Sequence, residues 1–141
     1  MVEERLEAGG WHRFEADKSS KVGRLVAAIN DVPSPDFKIS THVFRASATG
    51  PVFLVSQMTA PDGTGSIECK HIDETAAIPT SVALQAWAGT APEMAKKNGA
   101  TVWTWKPGRF GAEFTAVVYV DPKSKPRFPG VGVVTTSVRF Y

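Results

Sequence analysis

A chain of 141 residues makes one domain and can bury a core without disulfide or metal staples. Hydrophobic residues at 43% and charged residues at 21% exclude a disordered chain, which could not bury enough apolar surface to offset its ordering entropy. A net charge of +2 excludes a protein that grips nucleic acid with its whole surface, so any such binding falls to a local basic patch.

Residues 1–10 (MVEERLEAGG) fit either one or two helical turns ended by Gly9-Gly10 or an extended N-terminal arm. The stretch is acidic and has no apolar core of the kind a secretion signal needs. Trp11 to Asp17 is short and mixed. Lys21 to Asn30 (KVGRLVAAIN) is ambiguous. Val22, Leu25, Val26 and Ile29 fall on one helical face, whereas Gly23 and the β-branched residues suit a strand. Asp31-Val-Pro-Ser-Pro then marks a loop.

From Phe37 onward the pattern is mostly β. Phe37 to Ala46 alternates, with Ile39, Thr41 and Val43 on one face and Ser40, His42 and Phe44 on the other. Gly50-Pro51 breaks it, and Pro51 to Ala60 is strand-like. Pro61-Asp62-Gly63 is a turn, followed by a strand from Gly65 to Ile72. Asp73 to Pro79 forms a corner. Thr80 to Ala88 fits a strand or a two-turn helix, with Thr80 or Ser81 as a cap. Ala91 to Asn98 reads as a short helix, with Pro92 near its start, Lys96 and Lys97 near its end, and Gly99 closing it. Strands follow at Ala100 to Lys106, Ala112 to Val120 and Val131 to Tyr141. A Pro- and Lys-rich loop spans Asp121 to Gly130. The expected fold is therefore a single domain over residues 1–141: all-β, an antiparallel β-sandwich or jelly roll with one or two short helices.

Few side chains suggest chemistry. Cys69 is the sole cysteine, so no intrachain disulfide forms. Cys69 and His71 share a strand face, a poor geometry for a nucleophile and base without a third group; a small packed thiol is the expectation. His12, His42 and His71 lack metal-binding spacing. No phosphate loop, Gly-x-Ser-x-Gly elbow or Cys-x-x-Cys pair occurs, and nothing points to an enzyme. No apolar run approaches the ~20 residues of a membrane-spanning helix.

Three groups remain. His12, Arg13, Lys18, Lys21 and Arg24 form a basic cluster suited to phosphate neutralisation or to simple solvation. Lys123, Lys125 and Arg127 form a second cluster, in the late loop. Trp103 and Trp105 share a strand face, beside Lys106 and Arg109. Exposed, they would stack on bases or sugars; otherwise they belong to a core or, with Trp87, to a subunit interface.

The order of elements from Thr59 to Thr90 resembles the middle of the jelly-roll coat proteins of small icosahedral plant viruses, the tombusvirus, sobemovirus and luteovirus groups. It comprises Gly65-Ser66-Ile67, then Asp73-Glu74, then Pro79-Thr80-Ser81, then Val82 to Ala88. The terminal GVVTTSVRFY resembles the last strand of such a shell domain. The likeness covers roughly residues 37–141. It implies a capsid subunit that self-assembles around viral RNA, in the virion and host cytoplasm, with no membrane partner and no cofactor beyond Ca²⁺ at subunit interfaces. Arg13, Lys18, Lys21 and Arg24 would then face the genome. Asp73 and Glu74 would contribute to a Ca²⁺ site completed across an interface, since Ca²⁺ takes six to eight oxygen ligands; a solvated acidic turn is the alternative. These coat proteins carry a basic N-terminal arm, whereas residues 1–10 hold Glu3, Glu4 and Glu7 against Arg5. Two other functions fit the same pattern: a small β-barrel around an apolar ligand, and a sandwich module that displays Trp103 and Trp105 to a carbohydrate.

Overall fold

The computed structural model describes residues 2–31, 36–108, 112–124 and 129–140. Three short helices, α1 (Val2–Ala8), α2 (Lys21–Asn30) and α3 (Ser81–Ala88), accompany eight strands. The strands are β1 (His12–Phe14), β2 (Lys38–Arg45), β3 (Val52–Thr59), β4 (Thr64–Asp73), β5 (Glu93–Lys97), β6 (Ala100–Trp105), β7 (Phe114–Val120) and β8 (Gly130–Phe140). The expected all-β antiparallel, sandwich-like architecture is what forms, with three helices rather than one or two.

All eight strands hydrogen-bond in the order β1-β2-β3-β4-β8-β7-β6-β5, and every pairing is antiparallel. Neighbours follow chain order except at the centre, where β8 returns to pair with β4 from Thr64↔Phe140 to Asp73↔Val131. This connectivity is simpler than the interleaved strand order of a jelly roll: two meanders, β1 to β4 and β5 to β8, joined edge to edge. Among the described residues the sheet has two ends, β1 and β5, rather than the closed hydrogen-bonded ring of a barrel.

Because side chains alternate along a strand, the register fixes which residues share a face. Val43, Leu54, Lys70 and Val134 form one row across the sheet, and Val133, Val117 and Trp103 form another on the opposite face. The first face carries α2. There Val22 packs with Val43, Val52 and Leu54, backed by Phe14, Leu25, Val26, Ile29 and Ile72. The second face carries α3, where Leu84 packs with Trp103, Trp105 and Val117, backed by Ala88, Tyr119, Val131 and Val133. Each meander is thus covered by its own helix, on opposite sides of a shared sheet. Burying a side chain such as Leu54 completely contributes about 1.5–3 kcal/mol.

The ambiguous N-terminal stretch is helix α1, and its end is built by Gly9 and Gly10. Gly9 N–H donates to Arg5 O at 3.0 Å, and Trp11 N–H donates to Leu6 O at 2.9 Å. Lys21 to Asn30 is also helical, and its glycine has a local cause: a Cβ at Gly23 would collide with the Asp17 carbonyl where the preceding turn crosses the helix. The expected helix over Ala91 to Asn98 is instead strand β5. Lys97 pairs with Ala100, and both residues between them have positive φ, Asn98 at 52° and Gly99 at 79°. That is a type I′ hairpin turn, which Asn-Gly favours because both central positions require φ > 0.

Candidate functional site

The basic cluster surrounds the start of α2. Asp17 organises the approach: its carboxylate accepts from Ser19 N–H at 2.8 Å and Ser19 Oγ at 2.6 Å. Ser20 then caps the helix, its hydroxyl accepting from Gly23 N–H at 3.0 Å and so satisfying one of the first-turn donors. The hydrogen bonds from Ser19, hydroxyl first and backbone second, hold the Asp17 carboxyl below its ordinary pKa. Arg13, Lys18, Lys21 and Arg24 are all exposed.

The fold brings only part of that cluster together. Arg13 and Lys18 line one groove of about 600 Å³ between α2 and β1–β2, with Asn30, Thr41 and His42. Lys21 lines a second groove of about 330 Å³ with Arg45 and Glu74. Its ammonium lies 3.4 Å from the Glu74 carboxylate, so its charge is partly matched. Arg24 lines neither groove. Arg45 is the cation that sequence reasoning passed over. Its guanidinium sits 4.9 Å from the Phe14 ring centroid and donates from Nη1 to Ala48 O at 3.1 Å. The available signal was an arginine following Val43-Phe44 at the end of an alternating strand. Of the second cluster, Lys123 is exposed, while Lys125 and Arg127, like Arg109, lie outside the described residues.

On the opposite face the tryptophans separate by role. Trp103 and Trp105 are buried within the monomer, at 4% and 5% exposure, which corrects their assignment to an interface and removes the basis of the carbohydrate-module reading. Trp105 donates from Nε1 to Thr90 O at 3.1 Å and meets Trp87 edge to face, centroids 5.7 Å apart. Trp87 keeps 36% of its surface exposed.

α3 is well capped: Thr80 Oγ1 accepts from Ala83 N–H at 3.1 Å, and Gly89 ends it in the left-handed conformation. Its sequence, SVALQAWA, has no charged residue. Only Leu84 is buried, so the helix presents apolar surface outward as well as inward. Val82 is 80% exposed, and Ile78, just before the helix, is 52% exposed. Met94 on β5, register partner of Trp103 and so on the same face, is 56% exposed. An apolar helix surface with no covering layer is the sequence pattern of a buried element, yet nothing among the described residues buries it.

The acidic corner is locally satisfied. The Asp73 carboxylate accepts from Thr75 Oγ1 at 2.8 Å and Thr75 N–H at 3.0 Å, which lower its pKa, the hydroxyl most. Glu74 faces Lys21. Among the described residues no group of three or more His, Cys, Asp or Glu side chains gathers around a common point. Cys69 is half-buried, and burial pushes its thiol pKa up, the opposite of an activated nucleophile. His71 packs edge to face against Trp11 and Phe53 at 5.9 and 6.3 Å between centroids, as a packed histidine does. No helix among the described residues is long and apolar enough to cross a membrane.

No protein-family model, no curated protein and no solved structure matches this chain.

Proposed function

We propose that this chain is a self-assembling structural subunit, a coat protein whose α3 face packs against further copies and whose α2 flank faces nucleic acid. The observation that carries the reading is α3 itself: an uncharged helix whose Val82 and Trp87 keep exposed surface, on the side of the sheet that also shows Met94, with Ile78 exposed just before the helix. Apolar surface of this kind marks an interaction site, and aromatic anchors are favoured at such sites. The basic cluster collects around the start of α2, with Lys21 and Arg24 on the helix, while Arg13 on β1 and Lys18 in the preceding turn line one groove. Phosphate neutralisation requires only cations within reach. In an assembled shell, Asp73 and Glu74 would bind Ca²⁺ only together with ligands from a neighbouring copy, and the subunit would be found in the virion.

The test is light scattering coupled to size exclusion, with and without Ca²⁺, followed by negative-stain imaging. Uniform closed particles are expected, and Val82→Lys should reduce them to small species without unfolding the monomer. A wild-type chain that stays monomeric at high concentration across pH and salt overturns the reading.

A further inference from the structure

We infer that two copies of this chain pair through their β5 edges, antiparallel across a twofold axis at Ala95, to form one continuous sheet. The inference rests on the self-assembly reading above and adds a specific contact to it.

β5 is an end of the sheet, and all five of its residues, Glu93 to Lys97, are exposed. Its hairpin with β6 closes on Lys97↔Ala100 across a two-residue turn, so that pair exchanges hydrogen bonds. By alternation, Ala95 and Glu93 also direct their backbone groups toward β6, while Met94 and Lys96 direct theirs to the open edge. A second strand must therefore match outward residues with outward residues, which restricts the self-pairing registers. Centring on Lys96 sets two lysine side chains directly opposite, a destabilising like-charge pair. Centring on Met94 sets Lys96 opposite the partner's Pro92, which has no N–H to donate.

Centring on Ala95 avoids both faults. Met94 and the partner's Lys96 exchange backbone hydrogen bonds, and the symmetric pair does the same. Glu93 falls opposite the partner's Lys97, twice over, in the non-hydrogen-bonded positions where side chains approach most closely. The strand EMAKK is thus charge-complementary to itself, as an isologous interface requires. The same symmetry puts both α3 helices on one face of the joined sheet, and Met94 of each copy between them and the axis. The exposed apolar patch described above then becomes continuous across the dimer.

Lysines on a sheet edge also serve to prevent pairing, so the experiment must separate the two roles. In the full chain, Ala95→Cys should cross-link to a covalent dimer under mild oxidation, because the two sulfurs meet on the axis within disulfide reach. Glu93→Cys alone should not, since the partner's Lys97 stands opposite, and the wild-type chain with its half-buried Cys69 should not. Glu93→Lys should raise the dimer dissociation constant at least tenfold, and so should Lys97→Glu. The double exchange Glu93→Lys with Lys97→Glu should restore it.

Oligomers that form while Ala95→Cys stays uncross-linked overturn the β5 contact and leave the self-assembly reading standing. Cross-linked dimers that never grow into larger particles support β5 pairing and overturn the shell. A chain that is monomeric and uncross-linked overturns both. A single reversal, Glu93→Lys or Lys97→Glu, that leaves the dissociation constant unchanged also overturns the β5 contact, as does a double exchange that fails to restore it.

Discussion

The two meanders solve the same packing problem with opposite kinds of helix. α2 is amphipathic: Val22 is buried, Leu25, Val26 and Ile29 pack against the core, and Lys21 and Arg24 face outward. α3 holds its half of the sheet through Leu84 against Trp103, Trp105 and Val117 but has no charged side chain to turn to water. The first helix turns charge to solvent. The second turns Val82 and part of Trp87 to solvent instead, and this asymmetry carries the assembly proposal. Neither the basic flank nor the tryptophans alone distinguish a coat subunit from an ordinary surface.

The largest expected effect tests the anchors. Leu84→Ala should cost about 2–5 kcal/mol in denaturant unfolding. Val22→Ala should cost less, about 1.6 kcal/mol for two carbons at ~0.8 kcal/mol each. Equal losses would show that α3 does not depend on its single buried anchor more than α2 does on one of several.

A second comparison turns on a glycine inside a helix. Replacing such a glycine by alanine ordinarily stabilises by roughly 0.5–1 kcal/mol. Gly23→Ala should do the reverse, destabilising by about 1–3 kcal/mol, because the new methyl meets the Asp17 carbonyl. A stabilised Gly23→Ala variant, seen as a raised Tm, would mean that the turn yields freely.

The caps should be nearly equivalent. Ser20→Ala and Thr80→Ala each remove a hydroxyl acceptor from a first-turn N–H and should each cost about 1 kcal/mol. Chemical denaturation resolves a difference of that size; a loss confined to one variant would show that only that helix depends on its cap.

The smallest effect is the response to acid. Asp17, Asp62 and Asp73 each accept from the hydroxyl and backbone N–H two residues on, at Ser19, Thr64 and Thr75. Each has a lowered pKa, owing first to the hydroxyl bond. A lowered folded pKa stabilises above the unfolded value of about 3.9 and is lost as pH falls through the folded value. Stability should therefore be flat in these groups above about pH 5 and decline below pH 4. Replacing Asp73 by Asn should flatten part of that decline in denaturant unfolding followed across pH, through a matching small loss of stability at neutral pH and little change in acid.

The strands β2, β3, β4, β6, β7 and β8 were legible in the chain because their cues are local: period-two alternation bounded by Gly, Pro and Asp. The cap at Thr80, the turn at Asp62-Gly63 and the break at Gly9-Gly10 were legible for the same reason, whereas the cap at Ser20 was not, because Lys21 to Asn30 fitted helix and strand alike. Ala91 to Asn98 misled because Pro92, the two lysines and Gly99 match a helix's ends as well as a hairpin's. What decides between them is the pairing of β5 with β6, and the Asn98-Gly99 turn was the overlooked signal. Among the candidate site residues, the basic flank was visible as composition. Its division into two grooves, the pairing of Lys21 with Glu74 and the stacking of Arg45 on Phe14 depend on residues far apart in sequence.

The sequence by itself determined where most of this chain bends, which stretches are extended apart from β1 and β5, and that no intrachain disulfide holds it, since each follows from backbone preferences or composition within a few residues. Only the tertiary structure decided that β8 crosses back to β4, that the two helices lie on opposite faces, and that Trp103 and Trp105 are buried while Val82 is not. Those outcomes depend on strand register and side-chain contacts between distant segments, and no local pattern encodes which of two equally apolar faces will find a partner.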